Sequence, residues 1–186
     1  MKAPRTSILL SVLALMAILV PGSTCARAQS QDSEKINELF HSIRQHAVMA
    51  EADAELLESY TRSSVSWESH SRRIESMRSH VKDLADDYNE ASALRAEGSP
   101  WQQDAIDHLQ PLLQGMADHM KATIDHLKEH PNKTRMQPWI DYVRANRDYA
   151  VRTTELIRDY VNYGEAKATA DELEKKLQIP ESAGDA

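Results

Sequence analysis

The chemistry open to this chain rests on its eight histidines, because its 186 residues include a single cysteine, Cys25. At about 100° per residue, His108, His119, His126 and His130 fall within roughly 40° of one another on one helix face. His126 and His130, at i and i+4, have the spacing with which two imidazoles grip one ion, and His119 stands about 10 Å farther along the axis as a third candidate. Any further ligand has to come from another helix. Met77-x-x-His80, His46-x-x-Met49 and Met116-x-x-His119-Met120 add thioethers, a ligand type that suits copper. Yet Met77, Met116 and Met120 also fall on core positions, the commoner use of methionine. Two readings follow. Either no cofactor is held and the histidines are part-exposed residues bordering a seam, or His126, His130 and His119 hold Cu or Zn. His46 and His70 lie in the seams of their own helices, where a neutral ring would have to charge in a dry site; with His108 they are the candidates for a response to acid.

Other constellations are incomplete. Glu38-x-x-His41 is one half of a ferritin-like di-iron pattern, which needs a second Glu-x-x-His that the sequence lacks. His126-x-x-x-His130 supplies one piece of a hemerythrin-type set, but no histidine follows His130 to complete it. Cys-x-x-Cys-His, the attachment site of c-type haem, is absent. The helical pattern looks like the sensor bundles of bacterial chemoreceptors, without the flanking membrane spans. Ser66, Ser69 and Ser71 surround His70 with nothing resembling a nucleophile elbow. Asp83, Asp86, Asp87 and Glu90 read as a solvated acidic face. No catalytic constellation emerges, and the expectation is a protein that is not an enzyme.

A second unusual surface precedes the C-terminus. Trp139, Tyr142, Tyr149, Tyr160 and Tyr163 line a stripe beside the aliphatic one, which covers a core edge or, since Tyr and Trp bury large areas at low entropic cost, offers a contact surface. Arg147 falls in the aliphatic stripe and needs a carboxylate partner or a polar layer.

The elements that must carry these side chains are helices. Residues 30–97 contain no glycine or proline, period-two alternation is absent, and apolar residues recur at spacings of three and four. Ile36, Leu39, Phe40, Ile43, Ala47, Ala50, Ala54 and Leu57 mark one seam; Trp67, Ile74, Met77, Val81, Leu84, Tyr88 and Ala91 mark a second, with His70 in its missing place. Residues 61–66 are poor helix formers and suit a hairpin, although the spacing nearly continues through Tyr60, Ser64 and Trp67, which leaves one continuous helix as the alternative. Gly98-Ser99-Pro100 gives a stop, an N-cap and an N1 proline, with Gln102 completing a capping box. The third helix carries Ile106, Leu109, Leu113, Met116, Met120, Ile124 and Leu127, should bend near Pro111, and stops at His130-Pro131. The sequon Asn132-Lys133-Thr134 reads as a turn. A fourth helix from about Gln137 carries Ile140, Val143, Ala150, Ile157 and Val161, with a bend or break expected at Gly164 and a charged extension through Leu173 and Leu177. The fold expected is all-α, an up-down-up-down four-helix bundle with a long C-terminal helix.

Lys2 and Arg5, the apolar run 8–20, Pro21-Gly22 and Ala26-Arg27-Ala28 spell an export signal cleaved after Ala28. The run is shorter than the roughly 20 residues that span a bilayer. Lipidation of Cys25 is the alternative, although Gly22-Ser23-Thr24 matches a lipoprotein box poorly. The domains expected are a leader over 1–28, a helical bundle over 29–179 and a disordered tail over 180–186. Loss of the leader removes three cations and no acids, taking the net charge from −7 to −10. That balance disfavours nucleic acid and anionic membranes as partners. A domain of this size exported without a disulfide suits the bacterial periplasm. The expected function is an exported, non-enzymatic interaction or structural module that binds a protein partner or itself; the alternative is a transition-metal-binding or acid-responsive protein.

Overall fold

A computed structural model of the chain describes residues 32–177. The expectations for the leader, its cleavage site and the C-terminal tail fall outside them. Four helices, α1 (Glu34–Thr61), α2 (Trp67–Ala93), α3 (Pro100–Glu129) and α4 (Gln137–Leu177), form an up-down-up-down bundle with no strand among the described residues. α1 packs between α2 and α4, and α3 closes the square against α4 and, less intimately, α2. No helix among the described residues is long and apolar enough to cross a membrane.

Local chemistry sets the turns. Near the end of α1, the hydroxyls of Ser59, Thr61 and Ser63 donate back to the carbonyls of Leu56, Glu58 and Tyr60 at 2.7, 2.7 and 3.2 Å. Such bonds compete with the backbone ladder, and the helix stops at Thr61. The chain reverses before Ser66, whose carbonyl receives the first backbone bond of α2, so the hairpin forms and the continuous helix does not. The α2–α3 connection passes through a short 3-10 turn, Arg95–Glu97, to the Ser99–Gln102 capping box. Gln102 is fully buried and does more than cap. Its Oε1 accepts from the Ser99 and Ser33 amides, both at 2.9 Å, and its Nε2 donates to the Ser33 carbonyl and Asn37 Oδ1. One side chain thus ties the starts of α1 and α3 together. The Asn132 sequon lies in the 3-10 turn Pro131–Lys133.

Two apolar clusters fill the bundle. The first surrounds Ile36, Phe40, Ile43, Leu84, Ile106, Leu109 and Ile157; the second surrounds Leu57, Met77, Met116, Met120 and Trp139. They meet near Ala47 and Ala50, where Thr153 and Thr154 are buried and their hydroxyls donate to carbonyls one turn back in α4.

Several expectations about elements change. α4 runs unbroken through Gly164, because the glycine serves packing: a Cβ there would stand 2.7 Å from Cη2 of Trp101. The buried face of α4 is rotated by about one residue, so Trp139 is fully buried while Ile140 is half-buried. Arg147 meets the first of its two expectations, sitting at the edge with its carboxylate partner Glu58 of α1 at 3.2 Å, and a polar layer forms one residue earlier at Asn146, which donates to Thr123 Oγ1 and to the Tyr142 carbonyl. Trp67 opens α2 but is exposed rather than in the core. α3 is continuous through Pro111.

Candidate metal centre

Once the 62–66 turn closes, α1 and α2 run antiparallel, and residues whose numbers sum to about 126 face each other. His46 thereby meets His80, their ring centroids 6.4 Å apart, and Asp53 meets Arg73 in an ion pair. One nitrogen from each ring and a carboxylate oxygen of Asp83, one turn beyond His80, lie within 4.8 Å of one another. This is the group of three or more His, Cys, Asp or Glu side chains among the described residues that converges tightly enough for a metal ion. A point no more than about 2.8 Å from three atoms so spaced always exists, and Zn–N and Zn–O bonds are roughly 2.0–2.2 Å, so each ligand needs to close by well under 1 Å.

The surroundings of the rings match what a ligating imidazole requires. His46 Nε2 is 3.7 Å from Asp87 Oδ2, which the Ser42 hydroxyl holds with a 2.6 Å hydrogen bond. His80 Nε2 is 3.8 Å from Asp53 Oδ2, and Asp53 is fixed by Arg73. Each ring therefore has a carboxylate oxygen near its Nε2, at 3.7 and 3.8 Å too far for a hydrogen bond, and Asp53 Oδ2 is buried without a partner; closing by under 1 Å would make the contact that sets tautomer and basicity in histidine metal ligands. On the other side, Nδ1 of His46 and of His80 are both buried with no hydrogen-bond partner. With the rings neutral, the three carboxylates outnumber the single guanidinium by two negative charges, which one divalent cation balances.

Two nitrogens and one carboxylate suit Zn(II), Cu(II) or Ni(II) better than Ca(II) or Mg(II), which prefer oxygens throughout. Sequence reasoning met these residues separately. His46 entered as an acid-responsive core residue, His80 as a neighbour of Met77, and Asp83 and Asp87 as part of a solvated face. Here His46 is half-buried in a polar pocket, and Asp83 and Asp87 turn into the seam. The His80-x-x-Asp83 spacing was legible; its partner on α1 depends on the hairpin register.

The two unusual stripes turn out to face each other across the α3–α4 seam. His108 pairs with Tyr160, His119 with Tyr149 and His126 with Tyr142, at centroid distances of 6.3, 5.0 and 5.0 Å, each pair of residue numbers summing to 268. The Tyr160 hydroxyl donates to Asp104 and bonds His108 Nδ1 at 2.6 Å; burial, then that Asp104 bond, push its phenol up. His126 and His130 are neighbours, centroids 4.9 Å apart, while His119 is engaged with Tyr149. His126 also stacks on Trp139; burial, then the charge of His130, hold its pKa below the usual histidine value. Of the five aromatic residues, Trp139 is fully buried, Tyr142, Tyr149 and Tyr160 lie at the seam, and Tyr163 is exposed beside Trp101.

His70 lies in the core, edge-on to Tyr60 and Trp139 at 5.6 and 5.4 Å, with neither ring nitrogen hydrogen-bonded; desolvation lowers its pKa. A groove of about 690 Å³ opens between α2 and α3, floored by Ile74, Val81, Met120 and Ile124 and reached by the exposed Trp67. No protein-family model, curated protein or solved structure matches the chain.

Proposed function

We propose that this protein is an exported helical bundle that binds one divalent transition-metal ion through His46, His80 and Asp83. The observation that carries the reading is the convergence of one nitrogen from each of two facing helices with a carboxylate oxygen, each ring having a further carboxylate oxygen within 4 Å of its Nε2. Export rests on the leader-like sequence of residues 1–28, and a periplasmic location on the absence of cysteine after Cys25. The role is binding rather than turnover, since the ligand set lies in the α1–α2 seam and does not line the α2–α3 groove.

Calorimetric titration with Zn(II), Ni(II) and Cu(II) tests it. One ion per chain should bind with micromolar or tighter affinity, and replacing both His46 and His80 by Ala should weaken binding by at least about 100-fold. His126→Ala with His130→Ala should leave the strong site intact. No binding heat, or loss of the site only in the His126/His130 variant, would refute the assignment. The groove favours a second reading, an exported interaction module. Trp67→Ala should then weaken capture of a partner without altering metal affinity.

A further inference from the structure

α4 has 41 residues against 28, 27 and 30 in the other helices, so at 1.5 Å per residue it outruns them by more than 15 Å. The excess lies at its C-terminal end. Gly164 packs on Trp101 near the start of α3, and Lys167 pairs with Asp32 just before α1. From that level to its end the helix carries Tyr163 and Ala166, then Ala170, Leu173 and Leu177, at alternating spacings of three and four, and all five are exposed, Leu173 at 50% and Leu177 at 65%. A three-four apolar repeat on a helix is a packing seam; here Tyr163 meets Trp101, and Ala166, Ala170, Leu173 and Leu177 stay exposed among the described residues.

We propose that this seam pairs antiparallel with the same seam of a second copy, making a two-fold dimer joined through the C-terminal ends of α4. The argument is self-complementarity. Setting Ala170 against the second copy's Leu173 also sets Ala166 against its Leu177, and the two-fold axis repeats both layers. Every one of the four layers then opposes a small residue to a large one, which fills the seam while letting the helices approach closely. In that register Lys167, which within its own chain pairs with Asp171 at 2.8 Å and with Asp32 at 3.6 Å, also flanks the core opposite the second copy's Glu174, so two symmetry-related pairs of unlike charges line one edge of the joint. Parallel pairing places Ala on Ala and Leu on Leu, leaves gaps at the alanine layers and makes neither ion pair. Antiparallel pairing also carries the two bundles to opposite ends of the joint. A seam of four layers is shorter than a standard interface, so the dimer is weak, forming at roughly ten to several hundred micromolar protein.

Sedimentation velocity of the purified protein across that range should show a monomer–dimer equilibrium. Leu173→Glu, a change at an exposed position, should abolish the dimer while leaving the helical circular dichroism intact. Glu174→Lys should weaken it about tenfold by opposing like charges twice, and adding Lys167→Glu should restore it. On a Cys25→Ser background, Ala170→Cys chains mixed with Leu173→Cys chains should oxidise to the mixed dimer in preference to either homodimer. A protein monomeric throughout, a dimer indifferent to Leu173→Glu, or homodimers as the main disulfide products would each overturn the proposal. So would growth beyond dimers that Ile124→Asp stops, because the tip would then be entering the α2–α3 groove of the next copy.

Discussion

An imidazole that ligates through one nitrogen is only as good a ligand as its other nitrogen allows. Asp87 and Asp53 lie on the Nε2 sides of His46 and His80, and each is itself held, by Ser42 and by Arg73. Asp87→Asn and Asp53→Asn should therefore each weaken metal affinity by about 10–100-fold while the stoichiometry stays at one ion per chain, which calorimetry would resolve. Asp53→Asn should also destabilise the metal-free protein by about 1–3 kcal/mol, because the largely buried carboxylate would no longer neutralise Arg73. Equal affinity in all these variants would show that the carboxylates merely solvate the seam. Histidine spacing along one helix could not reveal this centre, since its two rings belong to different helices. The i, i+4 pair His126–His130 stood out in the sequence because it is local.

At the scale of the elements, Gly164 illustrates why a residue's type underdetermines its role. A glycine inside a helix costs about 1 kcal/mol against alanine and, without a partner in view, signals a break. What holds it here is the Trp101 indole, wedged against it between Phe40 and Tyr163 and tethered through Nε1 to Asp32. Gly164→Ala should lower stability by about 1–2 kcal/mol despite its better propensity, because the ring cannot retreat. In a Trp101→Phe background, where the clashing atoms are gone, the same change should instead stabilise by up to about 1 kcal/mol. Thermal unfolding of the four proteins gives the cycle, and additivity across it would refute the wedge. Gln102→Ala should cost about 2–4 kcal/mol, since it strands amides and carbonyls at the starts of both α1 and α3. Helix number, order and boundaries were legible because they rest on short-range signals: the serine-rich 61–66 segment, Gly98-Ser99-Pro100 and His130-Pro131. Facing relations were not. The one-residue rotation that buries Trp139 in place of Ile140, and the meeting of the histidine stripe with the tyrosines, depend on how two helices settle against each other.

The molecule as a whole should be sensitive to acid through rings that its core keeps neutral. His70 has no hydrogen-bond partner on either nitrogen and is enclosed by Tyr60 and Trp139; His126, stacked on Trp139, has a buried Nε2 without a partner. Desolvation lowers the pKa of both in the folded state. An unfolded chain begins to protonate these rings near pH 6.5, whereas the folded chain does so only at lower pH. Below about 6.5 the unfolded state therefore binds more protons, and stability falls as pH falls; above about 7 both states are neutral at these sites and the dependence vanishes. At pH 5 His70 alone can cost at most about 2 kcal/mol, since each pH unit below its unfolded pKa is worth up to about 1.4 kcal/mol. For a bundle of this size that corresponds to a drop of roughly 4–8 °C in Tm. His70→Phe keeps an aromatic ring between Tyr60 and Trp139 without a titrating group, and should remove most of that drop while raising Tm at pH 7 by relieving two unsatisfied polar atoms. If the Tm of the His70→Phe protein fell between pH 7 and pH 5 as steeply as that of the unaltered chain, the acid sensitivity would lie elsewhere, and the buried imidazole would be no more than a core residue of convenient shape.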